Sequence, residues 1–408
     1  MKLTRSIAAP LFAAGALLLA VSPDKVAAQG QQIITNLNGS EVVDLTYPCT
    51  VSCGTTIARI ENFMNGTPGE NGFKNILVGG DFLTNPFQRG TSQAADITNT
   101  LTYGPDQWWF LGGASSAINW SQQTGASDKP AGFGASLRFQ RKATNANTAA
   151  ICTGQVLETK NSVRFQGQTA VLSFYALAGA NFSAASSNVQ VTIGYGTGSD
   201  QSAANFAAGS WTGYANAYQA NTAISTAWTR YTVSAAIPAT ATQVGISLCY
   251  TPVGTAGTND WIELEAAQLE VGPNSTGVAS AFDQRPAAIE LLMAQRYALV
   301  INEPAANVNI GMGYVDTGGL TCKVTIAFPD TMRSAPAVTF GGTALSGSTW
   351  KVASTATAVL STPFLAVNGA HVPTNINLTA TTTGQTAGQA CALTGAGGGS
   401  KIIISSEL

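Results

Sequence analysis

The sequence predicts an all-β protein: a β-sandwich, then a short helix, then a C-terminal β-domain. Three observations predict it. Residues 75–283 contain short runs in which apolar and polar residues alternate, such as AVLSFYA at 170–176, separated by Gly-, Asn- and Ser-rich stretches such as 194–209. An alternating strand has one apolar face, and a second sheet must cover it, hence a sandwich. The period becomes helical over 285–300, and alternating runs return from 302 onward. At 408 residues the chain has room for two or three domains, and 45% hydrophobic content with 16 Phe, 10 Tyr and 7 Trp is enough to offset chain entropy.

Taken in order, residues 1–28 read as a secretory signal peptide or as an N-terminal anchor that docks into a particle. Lys2 and Arg5 precede an apolar run from Ile7 to Val21, and Val26-Ala27-Ala28 forms a small-residue cleavage pattern before Gln29. The run is short for a membrane span and carries Pro10. Residues 29–74 form a small β-rich attachment segment, with runs at 41–47 and 55–60 and a turn-forming linker, NGTPGENG, at 65–72. Residues 75–283 are the sandwich, with further runs at 189–193, 229–235, 244–249 and 261–269.

Residues 284–300 are a connecting helix. Ile289, Leu292, Met293 and Arg296 fall at helical spacing and Pro286 suits the first turn. That stripe faces either the sandwich or the same stripe of two other copies in a homotrimer. Residues 301–408 are the C-terminal β-domain, a tip or trimerisation module, with runs at 322–328, 337–340, 358–360, 375–380 and 401–405.

Only 10% of residues are charged and the net charge is −2. Nucleic acid is excluded as a partner, because its phosphates require clustered Lys and Arg. A neutral ligand such as a glycan, or an assembly that buries surface between copies, suits this composition. Six cysteines, Cys49, Cys53, Cys152, Cys249, Cys322 and Cys391, form an even set compatible with export. Pairing within domains would join Cys49 to Cys53, Cys152 to Cys249 and Cys322 to Cys391. Zinc is disfavoured: Cys49 and Cys53 lack a second ligand pair, and the single histidine, His371, lies far away.

The search for catalysis finds little. His371 has no Ser or Cys nucleophile motif near it, and Gly311 to Gly313 and Gly395 to Gly399 lack the strand–turn–helix setting of a phosphate loop. Glu263, Glu265 and Glu270 can be proposed as paired carboxylates for glycoside hydrolysis, yet the first two share a strand face that a sandwich can equally leave solvated, so the expectation is a protein without catalytic residues. The aromatic residues are more telling. A sugar ring stacks its C–H face on an aromatic ring while amide side chains satisfy its hydroxyls. Trp211, Tyr214, Asn216 and Tyr218 in WTGYANAY combine both, and Trp108 and Trp109 form a second candidate, of which at least one is expected in the core because neighbours on a strand face opposite sides. The alternative is that these rings pack between sheets.

Three segments in a fixed order add a resemblance. NILVGGDFLTNPFQRGTSQ at 75–93, WIELEAAQLEVGPNSTGVASAFDQRPAAIELLMAQRY at 261–297 and IAFPDTMRSAPAVT at 326–339 resemble the opening, closing and following segments of tailed-phage or prophage adhesion proteins of the tail-fibre or spike type, which carry a carbohydrate-binding-module-like sandwich. The resemblance implies a jelly roll and a virion-surface or extracellular protein. It further implies binding of host cell-surface polysaccharide without cleavage, with other virion proteins and like subunits as partners. It also implies a possible structural calcium between the entry strand and the last strand, at positions matching Asp81 and Glu265; no other cofactor is expected. A signal peptide sits awkwardly with a virion protein assembled in the cytoplasm, and a prophage-derived secreted protein reconciles the two. Two other classes remain open: a purely structural virion protein, such as a head decoration or fibre shaft, and a secreted glycan-binding protein or glycoside hydrolase.

Overall fold

The computed structural model describes residues 73–83, 88–93, 95–272, 277–302, 308–318, 321–341, 350–354, 357–360, 364–367, 372–381, 386–395 and 401–408. The chain divides into two compact units, Met1–Asn71 and Gly72–Leu408. The first, with Cys49 and Cys53, lies outside the described residues, as does His371. The second is almost wholly antiparallel β-structure.

Its first part has eleven strands: β1 (Thr102–Tyr103), β2 (Trp109–Gly112), β3 (Ile118–Gln123), β4 (Ser136–Arg141), β5 (Ile151–Val156), β6 (Thr169–Ala178), β7 (Asn188–Gly196), β8 (Ala215–Ala223), β9 (Thr229–Ala236), β10 (Gln243–Tyr250) and β11 (Trp261–Val271). They form a six-stranded sheet, β1-β2-β5-β10-β7-β8, and a five-stranded sheet, β3-β4-β11-β6-β9. The chain changes sheet at nearly every connection from β4 onward, in the manner of a jelly roll. The alternation explains the stacking. Val191, Ile193, Ile246 and Leu248 from one sheet meet Phe139, Leu172, Phe174 and Leu264 from the other in one continuous core. Phe139 and Tyr250 touch across it with ring centroids 6.0 Å apart.

Two short helices, α1 (Thr159–Ser162) and α2 (Ala203–Ala207), interrupt the sandwich. Ser202 caps α2 by accepting from the Asn205 amide. The third, α3 (Ala287–Gln295), follows the sandwich and is shorter than the sequence period suggested. Ala298–Asn302 is instead a strand, β12, because Ala298 and Val300 alternate into a buried face. The buried positions of α3 are Glu290 and Ala294, with Leu291 and Leu292 exposed; Ala294 and Met293 pack with Val78 and Tyr297, so a narrow apolar contact and the polar anchor Glu290 hold the helix together.

The C-terminal module contains β12, β13 (Asn309–Val315), β14 (Thr321–Ala327), β15 (Ala337–Gly341), β16 (Trp350–Ser354), β17 (Thr357–Leu360), β18 (Phe364–Val367), β19 (Asn375–Thr381), β20 (Ala390–Gly395) and β21 (Lys401–Ser405). A three-stranded sheet, β12-β21-β15, and a seven-stranded sheet, β17-β16-β20-β13-β14-β19-β18, share a core of Val324, Leu378, Leu393, Ile402 and Ile404. Among the described residues two disulfides brace the fold. Cys152 and Cys249 are direct partners across β5 and β10, with Cα atoms 4.1 Å apart. Cys322 on β14 reaches Cys391 on β20 over the intervening β13, with Cα atoms 6.1 Å apart. Two strand spacings would separate them by roughly 9–10 Å in a flat sheet, so the sheet curls sharply there. Among the described residues no helix is long and apolar enough to cross a membrane.

Candidate functional site

The WTGYANAY cluster divides between core and surface. Trp211 is 3% exposed, its Nε1 donates to the Ser202 carbonyl at 2.9 Å, and its ring lies 4.8 Å from that of Phe206. Beneath them the sheet carries Gly154, Gly194 and Gly245, where a Cβ would come within 2.7–2.9 Å of the rings of Trp109 or Phe206. Glycines at these three sites let flat rings lie directly on the sheet. Trp109, Phe206, Trp211 and Leu408 thereby form a satellite core that closes one end of the outer face of the six-stranded sheet.

This corrects the aromatic platform expected from sequence. Trp211 cannot stack on a sugar because α2 covers it. Trp108 is fully buried in the main core, its Nε1 donating to the Val78 carbonyl at 3.0 Å, and Trp109 is fully buried on the opposite side. Tyr218 packs inward against the main core. Tyr214 is half-buried and Asn216 exposed, and the tyrosine hydroxyl donates to Asn216 Oδ1 at 2.7 Å.

These two residues begin a longer polar lane that sequence reading passed over. Across β8, β7 and β10 the outward positions pair in rows: Asn221 with Gln190, and Gln219 with Thr192, which pairs in turn with Ser247. Gln190, Asn216, Gln219 and Asn221 are exposed, and Gln219 Nε2 reaches Gln190 Oε1 at 3.4 Å. No charged side chain stands among them. The signal was the recurrence of amides in ANAYQANTA, masked because the register shifts near Gly194 and breaks the period of two.

The outer face of the five-stranded sheet differs. Glu263 and Glu265 point away from the core on β11, yet both are fully buried, and residues 124–134 and 277–283 pack over this face. Trp228 Nε1 donates to the Ser127 carbonyl at 3.2 Å, and Phe133 lies 5.6 Å from Tyr175 and 5.9 Å from Phe282 by ring centroids. Arg138 Nε donates to Glu263 Oε1 at 2.7 Å and the guanidinium stacks 4.3 Å over Trp261. Burial, opposed by Arg138, pushes the Glu263 carboxyl up to about 7. Glu270 is taken up by the Ser280 amide at 2.8 Å and hydroxyl at 2.6 Å, which fastens the roof. Glu263 and Glu270 are thus engaged structurally.

Glu265 is the exception. Apart from the amide of Ala266 beside it, neither carboxylate oxygen has a hydrogen-bond donor, and burial together with the charge of Asp81 pushes its carboxyl up to about 10. A buried acid pair of this kind matches a cation in charge. In ligand number it falls short: calcium takes six to eight oxygens, and among the described residues no three acidic, His or Cys side chains converge. Backbone carbonyls would have to complete the shell.

The arginines of the motif segments organise the joint between sandwich and C-terminal module. Arg89 pairs with Asp106 and Glu407 at 2.7 and 2.5 Å. Arg285 Nε donates to Glu290 Oε1 at 2.7 Å and Nη1 to the Asn75 carbonyl at 2.6 Å. Arg296 grips Glu158 with two bonds of 2.7 and 2.9 Å, and Arg333 donates to the Ser406 carbonyl at 2.7 Å. These arginines thus mark a structural joint.

No protein-family model matches the chain, and no curated protein matches it. Solved structures similar to it include the enzymatically active domain of tailspike protein 4 of bacteriophage CBA120, at 10% identity and TM-score 0.28 over 48% of this chain and 21% of that one. The chain therefore spans about a fifth of that tailspike chain. A xylan-binding domain of carbohydrate-binding module family 22 is similar at 18% identity and TM-score 0.26, covering 46% of this chain and 99% of its own. A family 61 module in complex with β-1,4-galactotriose is similar at 11% identity and TM-score 0.28, covering 49% and 99%. Likenesses this distant carry no inference about ligand; the geometry of the faces must supply it.

Proposed function

We propose that this chain is an adhesion protein of the tail-fibre or spike type that holds host cell-surface polysaccharide without cleaving it. One observation carries the reading: the uncharged lane of Asn216, Gln219, Asn221 and Gln190 beside the half-buried Tyr214 ring. Amides exchange hydrogen bonds with sugar hydroxyls in both directions, and an aromatic edge offers the apolar contact. Glu263 is buried and paired with Arg138, and Glu270 is bonded to Ser280, which supports binding without cleavage. Two disulfides support an extracellular or virion-surface location.

The same reading includes contacts with other virion proteins or like subunits in a homotrimer. Met312 (66% exposed) and Tyr314 (56%) alternate with glycines on β13 and give the C-terminal module an apolar outer face. It also includes a structural calcium held by Asp81 and Glu265.

The deciding experiment incubates the purified full-length chain with host-type cells and their extracted polysaccharide while released sugar is monitored. Saturable binding without release, weakened by Gln219→Ala and Tyr214→Ala, is expected. Binding that both variants leave intact would remove the lane from the proposal, and absence of binding would favour a purely structural virion component.

A further inference from the structure

We propose a second binding site, separate from the amide lane: a cleft of about 180 Å³ between the sandwich edge and α3 that accepts a small carboxylate with an apolar, ring-sized body. Its walls are Ile76, Val78, Val156, Leu157 and Met293, so the body of the ligand is apolar. Its size is set by comparison: an apolar cavity of roughly 150 Å³ accommodates benzene, while pockets for larger ligands begin near 300 Å³. A single ring fits.

Charge at the mouth selects an anion. Lys160 and Arg296 both line the cleft, and one carboxylate, Glu158, serves them both. Arg296 takes it at 2.7 and 2.9 Å, leaving Lys160 at 3.7 Å with its side chain 55% exposed. Two cations and no carboxylate line the cleft itself, and the outer cation, Lys160, is free to turn to a ligand. Asn161 donates to the Tyr297 hydroxyl at 3.2 Å and closes the other side of the mouth.

The interior supplies an unmatched donor. Gln107 also lines the cleft, is 3% exposed, and its Nε2 has no hydrogen-bond partner. Its backbone sits at φ +68, a left-handed conformation that a glutamine adopts only when its surroundings hold it there. An unsatisfied buried donor is costly. A ligand oxygen that accepts from it offsets that cost, so the ligand carries a second acceptor besides its carboxylate.

The probe is p-hydroxybenzoate, which offers a carboxylate for Lys160 and a hydroxyl oxygen as the second acceptor; p-hydroxybenzyl alcohol is its uncharged counterpart. Ligand-observed NMR titration of the full-length chain is expected to show saturable binding of the acid and about tenfold weaker binding of the alcohol. Lys160→Gln, at an exposed position that leaves the fold intact, is expected to lower affinity for the acid about tenfold, and Met293→Trp to abolish it by filling the cleft. Absence of saturable binding, equal affinity for acid and alcohol, or unchanged affinity in Lys160→Gln overturns the proposal.

Discussion

Arg89 Nη2 donates to Glu407 Oε2 at 2.5 Å, closing a contact between residues 318 positions apart. The same guanidinium bonds Asp106, and Lys401 returns to the Arg89 carbonyl at 2.5 Å, so the entry segment of the sandwich is stitched to the last strand of the chain. Both carboxylate side chains are at most 1% exposed. Arg89→Met would leave two buried acids without a cation, and such a loss costs about 3–5 kcal/mol. Chemical denaturation should show the drop as a lower midpoint. A midpoint equal to that of the parent protein would show that the joint does not depend on this ion pair.

That cluster also sets a pH dependence. Burial raises the Asp106 carboxyl to about 8, with Arg89 opposing the shift and Glu407 adding to it. The folded protein therefore retains a proton that the unfolded chain has released above about pH 4. Stability from this group is complete below the unfolded value and is lost as pH rises through the folded one. Glu263, raised to about 7, and Glu265, raised to about 10, act with the same sign. Thermal unfolding should thus move to lower temperature from about pH 5 to about pH 9, and Asp106→Asn should flatten the slope. Stability that increases over this range would contradict the assignment.

The legible parts of the fold were those governed by local pattern. The runs at 170–176, 189–193, 229–235, 244–249 and 261–269 lie within β6, β7, β9, β10 and β11 because each buries one face against the opposite sheet. The candidate site was less legible, since its outcome turned on residues distant in sequence. Nothing local to WTGYANAY reveals that Gly154 and Gly245 provide a floor for Phe206 and Trp109, or that α2 then covers Trp211. The roof over Glu263 and Glu265 comes from residues 124–134 and 277–283, more than a hundred positions away on one side. The amide lane was hidden by a register shift, which pattern counting reads as a lost strand.

Trp211 and Tyr214 should separate packing from binding. Truncating a buried tryptophan costs about 3–5 kcal/mol, so Trp211→Ala is expected to lower stability sharply through the satellite core with Phe206 and Leu408. Tyr214 is half-buried, and its ring contacts are worth about 0.5–1.5 kcal/mol. Tyr214→Ala should stay folded and lose up to about tenfold in polysaccharide affinity. Affinity electrophoresis beside denaturant melts checks both. If Trp211→Ala instead keeps its stability and loses binding, the covered ring is not covered in solution.

Removing the C-terminal disulfide tests how far the curled sheet depends on it. Cys322 and Cys391 are 69 residues apart, and a cross-link over a loop of that length restrains the unfolded chain by about 4 kcal/mol. The paired Cys322→Ser, Cys391→Ser variant should melt its C-terminal module earlier, while the sandwich retains its own bridge between Cys152 and Cys249. Differential scanning calorimetry would resolve this as an earlier, separate transition. A single unshifted transition would mean that β13 holds β14 and β20 in place without the bond.

Glu265 and Asp81 make the cation a testable matter. With neither Glu265 oxygen accepting from a side chain, the buried carboxyl has two ways to stay neutral: it keeps its proton, or a cation replaces that proton. If the cation is calcium, millimolar calcium should raise the melting temperature of the parent protein after chelator treatment. Glu265→Gln cannot carry the charge that the ion requires, so its melting temperature should not respond; in chelator the variant should be at least as stable as the parent, because an amide brings no charge to a dry site. A calcium shift of equal size in both proteins would place the ion elsewhere, and no shift in either would leave Glu265 as a neutral acid held by the roof above β11.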